Sequence, residues 1–217
     1  MGTKKALTLI AAGTIISATA QTNAAITYVD IDATNTVGDT GDAAFATVTD
    51  GTSDAWEVRA PFGNAGELLQ STDEDSPVLR TTIGGLTAGV SYNIHVLFWG
   101  VAQNEDDNFW QASAGFLSDL SDQTVYNEAN GAVVSMASDF SNAPLVAEGN
   151  RVLLRDLVGV AVADSNGEIA VYLDDVVPQG GRDRTWLDGV GYEVVPEPSS
   201  LALLGLGGLA MLHRRRH

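Results

Sequence analysis

The residues of this chain best suited to chemistry are carboxylates and indoles. Asp30-Ile31-Asp32, followed by Asp39 and Asp42, and the pair Asp174-Asp175 offer hard oxygen ligands of the kind that calcium gathers about six to eight at a time. In an extended strand Asp30 and Asp32 fall on one side, because side chains alternate. Neither cluster has the spacing of an EF-hand loop, and in so acidic a chain solvation accounts equally well for acidic loops. Four tryptophans are present, Trp56, Trp99, Trp110 and Trp186. Indole faces stack on sugar rings while neighbouring carboxylates and amides take the hydroxyls. Trp110 ends the polar run Asn104-Glu105-Asp106-Asp107-Asn108-Phe109 and is expected to be an exposed, ligand-binding platform. The other three lie in apolar, strand-like runs and are expected in the core. The alternation of Ala112, Ala114 and Phe116 after Trp110 fits packing as well as ligand contact. An indole exposed beside polar groups would mark a binding module; four hidden indoles would mark a structural domain.

Catalysis has little support. The pairs Asp106-Asp107 and Asp174-Asp175 supply the two carboxylates that glycoside hydrolysis uses. However, between the terminal segments the only histidine is His95, on a strand-like run, where a lone histidine reads as structural. No Gly-x-Ser-x-Gly elbow, His-Glu-x-x-His pair or Walker loop occurs. The absence of cysteine excludes thiol chemistry, thiolate metal sites and disulfides. The expectation is a noncatalytic protein.

These residues must be positioned by one domain. With 217 residues, 45% of them apolar and 18% charged, the chain has the apolar area for a packed core and the length for one unit of ordinary size. Short β-rich runs alternate with Gly, Asp, Asn and Ser clusters: 26–31, 44–48, 55–60, 78–83, 90–99, 151–162, 168–177 and 184–194. This spacing predicts an all-β fold, an antiparallel sandwich with little helix. Tyr92, Ile94, Val96 and Phe98 share one face at period two, and Ile169, Val171 and Leu173 another. The run 168–175 is the expected partner of the strand ending at Trp99, and 184–193 is expected to return beside the first strand.

The two ends differ from the middle. Lys4 and Lys5, the apolar stretch Ala6 to Ile16, and the small residues Ser17 to Ala20 and Asn23 to Ala25 have the order of a secretory signal for the Sec translocon, with cleavage near Ala20 or Ala24. The apolar stretch is about half the roughly 20 residues of a spanning helix. At the other end Pro196-Glu197-Pro198-Ser199-Ser200 precedes an apolar run, Leu201 to Leu212, and then His213 and Arg214-Arg215-Arg216. Arginines hold the cytoplasmic side of an inserted segment, and the Leu, Gly and Ala of the run suit a short, close-packing helix. So short a helix gives transient insertion and a poor permanent anchor. Removing the terminal bases leaves six arginines against 27 acidic residues between Ala25 and Val195, a net charge of −21. Such a domain repels phosphate backbones, which excludes nucleic acid as a partner. The expected division is 1–24 signal peptide, 25–194 domain, and 195–217 tag.

The order of motif, apolar run and basic cluster resembles the PEP-CTERM sorting domain, also classed as an ice-binding-protein C-terminal domain. The resemblance implies recognition by an exosortase, a membrane protease-transpeptidase, through Pro196, Glu197 and Pro198, with Arg214, Arg215 and Arg216 completing the signal. It also implies a Gram-negative host that makes extracellular polysaccharide, and a destination at the cell surface or in the matrix. The bland alternative is a tail anchor that is never processed. Ice binding would need a flat, regular threonine array, which Thr34, Thr36 and Thr40 do not make. Within the domain, the glycine turn before the strand ending in Phe98-Trp99, and the closing Trp186-Leu187-Asp188-Gly189-Val190-Gly191-Tyr192, resemble galactose-binding-like jelly rolls. That resemblance implies carbohydrate binding, with a polysaccharide partner, and a structural calcium, for which Asp30, Asp32, Asp174 and Asp175 are the candidate ligands. The alternative is a structural surface protein without a small ligand.

Overall fold

The computed structural model describes residues 25–38, 45–46, 56–59, 63, 68–72, 76–101, 110–127, 132–141, 147–148, 151–175 and 184–196. Fourteen strands are described: β1 (Thr27–Asp30), β2 (Thr36–Gly38), β3 (Phe45–Ala46), β4 (Trp56–Arg59), β5 (Leu68–Thr72), β6 (Leu79–Ile83), β7 (Ser91–Val101), β8 (Gln111–Gly115), β9 (Thr124–Asn127), β10 (Val133–Val134), β11 (Ala147–Glu148), β12 (Arg151–Val162), β13 (Ile169–Asp174) and β14 (Arg184–Val194). A 3-10 turn, Ala137–Asp139, is the helical element among the described residues.

Two sheets result. The larger runs β10-β12-β7-β14-β5-β4-β3, with β1 also on β14 and β11 also on β12; the smaller runs β2-β6-β13-β8-β9. Among the described strands pairing is antiparallel apart from the short β3–β4 contact, and an isolated parallel bridge joins Ile26 to Phe140. One core is shared by both sheets. Ile94, Val96, Phe98, Leu154, Leu187 and Val190 of the larger meet Leu79, Ile83, Ala112, Ala114, Ile169, Val171 and Leu173 of the smaller, each large buried side chain contributing about 1.5–3 kcal/mol.

Central position explains β7. Its even-numbered residues face the shared core, while Leu97 and Trp99 point the other way into a second apolar cluster with Ile26, Tyr28, Leu68, Trp110, Phe140, Leu153 and Trp186. A strand apolar on both faces belongs inside a sheet. The expected pairing of β7 with the run 168–175 is therefore corrected: β7 lies between β12 and β14, and β13 lies between β6 and β8 in the opposite sheet. The two meet across the core, and β13 shows the clean alternation of a strand with one solvated face.

β14 does return beside the first strand, with Thr27 opposite Tyr192 and Asp30 opposite Gly189. The Asp-Gly-Val-Gly sequence has a steric cause. A register shift between Leu187 and Gly189 turns this part of the strand beneath the Tyr28 ring. A Cβ at Gly189 would lie 2.5 Å from Tyr28 Cε2 and 2.7 Å from the Val29 carbonyl oxygen. Only glycine lets β1 close on β14.

Candidate functional site

Each of the four aspartates proposed for a metal is engaged locally. Asp30 Oδ1 accepts from the Tyr28 hydroxyl at 2.9 Å. Asp32 lies beyond β1, in a turn, where its Oδ1 accepts from Thr34 N at 2.6 Å, Thr34 Oγ1 at 2.5 Å and Asn35 N at 3.2 Å. The Thr34 hydroxyl bond, above all, holds this carboxyl below the usual range. Asp174 Oδ1 accepts from Asp175 N at 3.1 Å. Asp175 is buried, and its Oδ2 accepts from Ser71 Oγ at 2.5 Å and Ser76 N at 3.1 Å, with Ser76 Oγ in turn donating to Ser71 Oγ at 3.0 Å. Asp175 thus ties the end of β13 to β5 across the two sheets. Among the described residues no group of three or more His, Asp or Glu is placed to hold a metal ion, so the donor set expected for calcium does not assemble from these four. Asp39 and Asp42 lie outside the described residues.

The indoles are all packed. Trp56, Trp99, Trp110 and Trp186 are 0%, 1%, 9% and 1% exposed. The expectation of an exposed platform at Trp110 is corrected. Its ring lies 4.5 Å from that of Trp186, and the Arg151 guanidinium sits 5.8 Å from Trp110 and 4.5 Å from Trp186. Arg59 covers Trp186 at 5.6 Å. The polar run before Trp110 suggested solvent, but Trp110 abuts β8, and a cation held over an indole is favourable where both lose water.

A buried polar knot was missed by the sequence reading. Asp188, at the register shift of β14, is 1% exposed. Its carboxylate accepts from the Tyr28 hydroxyl at 2.7 Å and from the Trp99 indole N–H. The same hydroxyl also reaches the Asp188 carbonyl oxygen at 2.8 Å. Burial first, then the charges of Asp188 and Asp30, push the Tyr28 phenol far above its ordinary value, so it stays protonated and able to donate to these oxygens. The signal that could have found this knot is an aspartate inside the apolar closing strand, since a carboxylate buried there must be matched by donors. His95 lies on the same outer face of β7 as Leu97 and Trp99, with Nε2 3.6 Å from Glu193 Oε1. Burial, then Arg155, lower its pKa against the opposing pull of Glu193, which leaves it a neutral structural residue.

A cleft of about 500 Å³ is lined by Arg80 and Thr82 of β6, Phe116, Ala161 and Val162 at the end of β12, Asp164, Glu168, and Ile169 and Ala170 of β13. Asp164 caps the adjoining turn, its Oδ1 accepting from Asn166 N at 2.8 Å and Glu168 N at 2.9 Å.

At the end of β14 the ladder closes with Val195 N donating to the Ser91 carbonyl oxygen at 3.0 Å. Pro196, exposed and without an N–H, ends the pairing. Glu197, Pro198, Arg214, Arg215 and Arg216 lie outside the described residues, as do the signal segment and the apolar run. Comparison with known families matches the PEP-CTERM protein-sorting motif to residues 194–216. The C-terminal segment is a PEP-CTERM sorting tag. The tag indicates exosortase-type sorting of an exported protein, and it grows directly from the central sheet. No curated protein matches the chain. Among the described residues no helix is long and apolar enough to cross a membrane.

Proposed function

We propose that this is an exported surface or matrix protein whose β domain, a sandwich of the galactose-binding-like jelly-roll kind, is noncatalytic and structural. The observation that carries this reading is the burial of all four indoles: an outward-facing aromatic platform is the feature a lectin-like module would need, and here Trp99, Trp110 and Trp186 brace the outer side of the larger sheet while Trp56 packs in the core between the sheets. The engaged carboxylates support the same reading, because Asp32 spends its oxygens on a turn, Asp175 on a cross-sheet tie and Asp188 on joining strands within the larger sheet. Export begins with signal removal near Ala20 or Ala24 through the Sec route. Recognition of Pro196, Glu197 and Pro198 by an exosortase follows, with transient insertion of the Leu201 to Leu212 run in the inner membrane of a Gram-negative cell. Cleavage near the motif delivers the domain to the surface.

A second reading, carbohydrate binding, has one observation in its favour. The cleft carries an apolar ring, Phe116, beside Arg80, Asp164 and Glu168, a mixture suited to a polyhydroxylated and partly acidic chain such as an exopolysaccharide. Glycan-array binding by the processed protein separates the two. Absence of retention, with and without calcium, is the expected result. Retention abolished by Phe116→Ala or Arg80→Ala would replace the structural reading with the lectin-like one.

A further inference from the structure

The tag has no stalk. Its matched region starts at residue 194, inside β14, and the backbone stays bonded to β7 through Val195. Pro198 is three residues beyond Val195, so it reaches at most about 10 Å from the sheet. A protease that grips Pro196, Glu197 and Pro198 with a residue on either side must therefore press against the end of the domain.

That end carries an apolar stripe. Val162 is paired with Ser91 and Val160 with Asn93 on β7, so they share the outer face of the larger sheet. Leu157, before the register shift and opposite His95, lies on the same face. Val160, Val162 and Leu157 are 57%, 59% and 46% exposed, a row of three along one strand, whereas Val194, opposite Tyr92, belongs to the other face. Val162 and Val195 flank Ser91 on its two sides, which places them about 10 Å apart at two strand spacings. Single exposed apolar residues are ordinary, but a contiguous run marks an interaction surface. Here it sits beside the point from which the sorting motif leaves, in a domain of net charge −21.

We propose that the outer face at this tag-side end, with Val160 and Val162 as its anchors and Leu157 behind them, is a docking surface for the membrane-embedded sorting protease that reads Pro196-Glu197-Pro198. The inference rests on recognition of the motif by an exosortase and adds a second contact, made by the folded domain. The length of chain selects the occupant: with a single residue between β14 and Pro196, whatever holds the motif also covers this end. Docking and motif recognition then act as one bivalent contact, at an effective concentration set by the short connection.

The test follows tag removal by pulse-chase on the full chain in cells that carry an exosortase. Val160→Asp with Val162→Asp alters exposed side chains only, and a retained thermal midpoint verifies the fold. Processing is expected to slow about tenfold, the loss typical of one interface anchor, while Val160→Ile with Val162→Ile stays near the unaltered rate. A ten-residue Gly-Ser insert between Val195 and Pro196 is expected to abolish the difference between the valine and aspartate chains. Equal processing of aspartate and valine chains without the insert overturns the proposal, including where the stripe proves to bind vesicles of neutral lipid or a second copy. An equal slowing with and without the insert also overturns it, since the valines then act otherwise than by tethered docking. If the unaltered chain never loses its tag, the underlying reading fails with it; if it does lose its tag and the variants behave alike, docking alone fails.

Discussion

Replacing Asp188 by alanine tests the polar knot that joins β1, β7 and β14. In the native chain one carboxylate accepts from the Tyr28 hydroxyl at 2.7 Å and from the Trp99 indole N–H. The Tyr28 hydroxyl keeps other acceptors when the carboxylate is removed, the Asp188 carbonyl oxygen at 2.8 Å and Asp30 Oδ1 at 2.9 Å. The Trp99 N–H does not share those acceptors, and Trp99 is 1% exposed. Leaving a buried donor unmatched costs about 1–3 kcal/mol, and the vacated volume adds to it, for an expected loss of about 2–4 kcal/mol. For a domain of this size that is a fall of roughly 5–15 °C in thermal midpoint. Asp188→Asn keeps one acceptor oxygen for Trp99 and should lose less than half as much. Denaturant titration followed by indole fluorescence reads both variants. If alanine lowers stability by less than 0.5 kcal/mol (about the range of a neutral surface change), the indole donor is satisfied elsewhere and the reasoning is wrong.

Other consequences are equally concrete. Gly189→Ala places a Cβ 2.5 Å from the Tyr28 ring and is expected to destabilise by about 1–3 kcal/mol, whereas Gly84→Ala, with nothing within 4 Å of its Cβ, should be close to neutral in the same chemical denaturation. His95 has a lowered folded pKa, mainly through burial and Arg155, with Glu193 and Asp156 opposing. The unfolded chain therefore binds the proton first, so stability falls as pH drops below about 6.5. Urea midpoints measured from pH 7.5 to 5 should show this slope, and His95→Gln should remove part of it. Trp110→Ala opens the packing against Trp186 and is expected to cost about 3 kcal/mol or more; a stable domain that had lost only glycan retention would instead restore Trp110 as a platform.

The sequence was most legible where a pattern is local. Period-two runs at Tyr92 to Phe98 and Ile169 to Leu173 located strands and their core faces, and the return of β14 beside β1 followed from the closing motif. Strands without β-branched alternation escaped notice: Gln111 to Gly115 is built of small residues, yet Ala112 and Ala114 pack fully in the core. Strand pairing was misread because both β7 and β13 are apolar, and only the second apolar face of β7 shows that it needs neighbours on both sides of one sheet. Trp110 was misread because the polar residues before it describe the loop, while its burial depends on Trp186 and Arg151, distant in the chain. The tag was readable because its three parts act in sequence order. Function within the domain was not, since it turns on which side chains the fold leaves exposed.

Mass spectrometry of the protein recovered from the cell surface or medium tests the sorted-export reading most directly. Mature termini near Ala20 or Ala24 and near Pro196 to Pro198 are the expected result. A surface-exposed chain that retained all 217 residues, or one that kept the apolar run and arginine cluster, would contradict it.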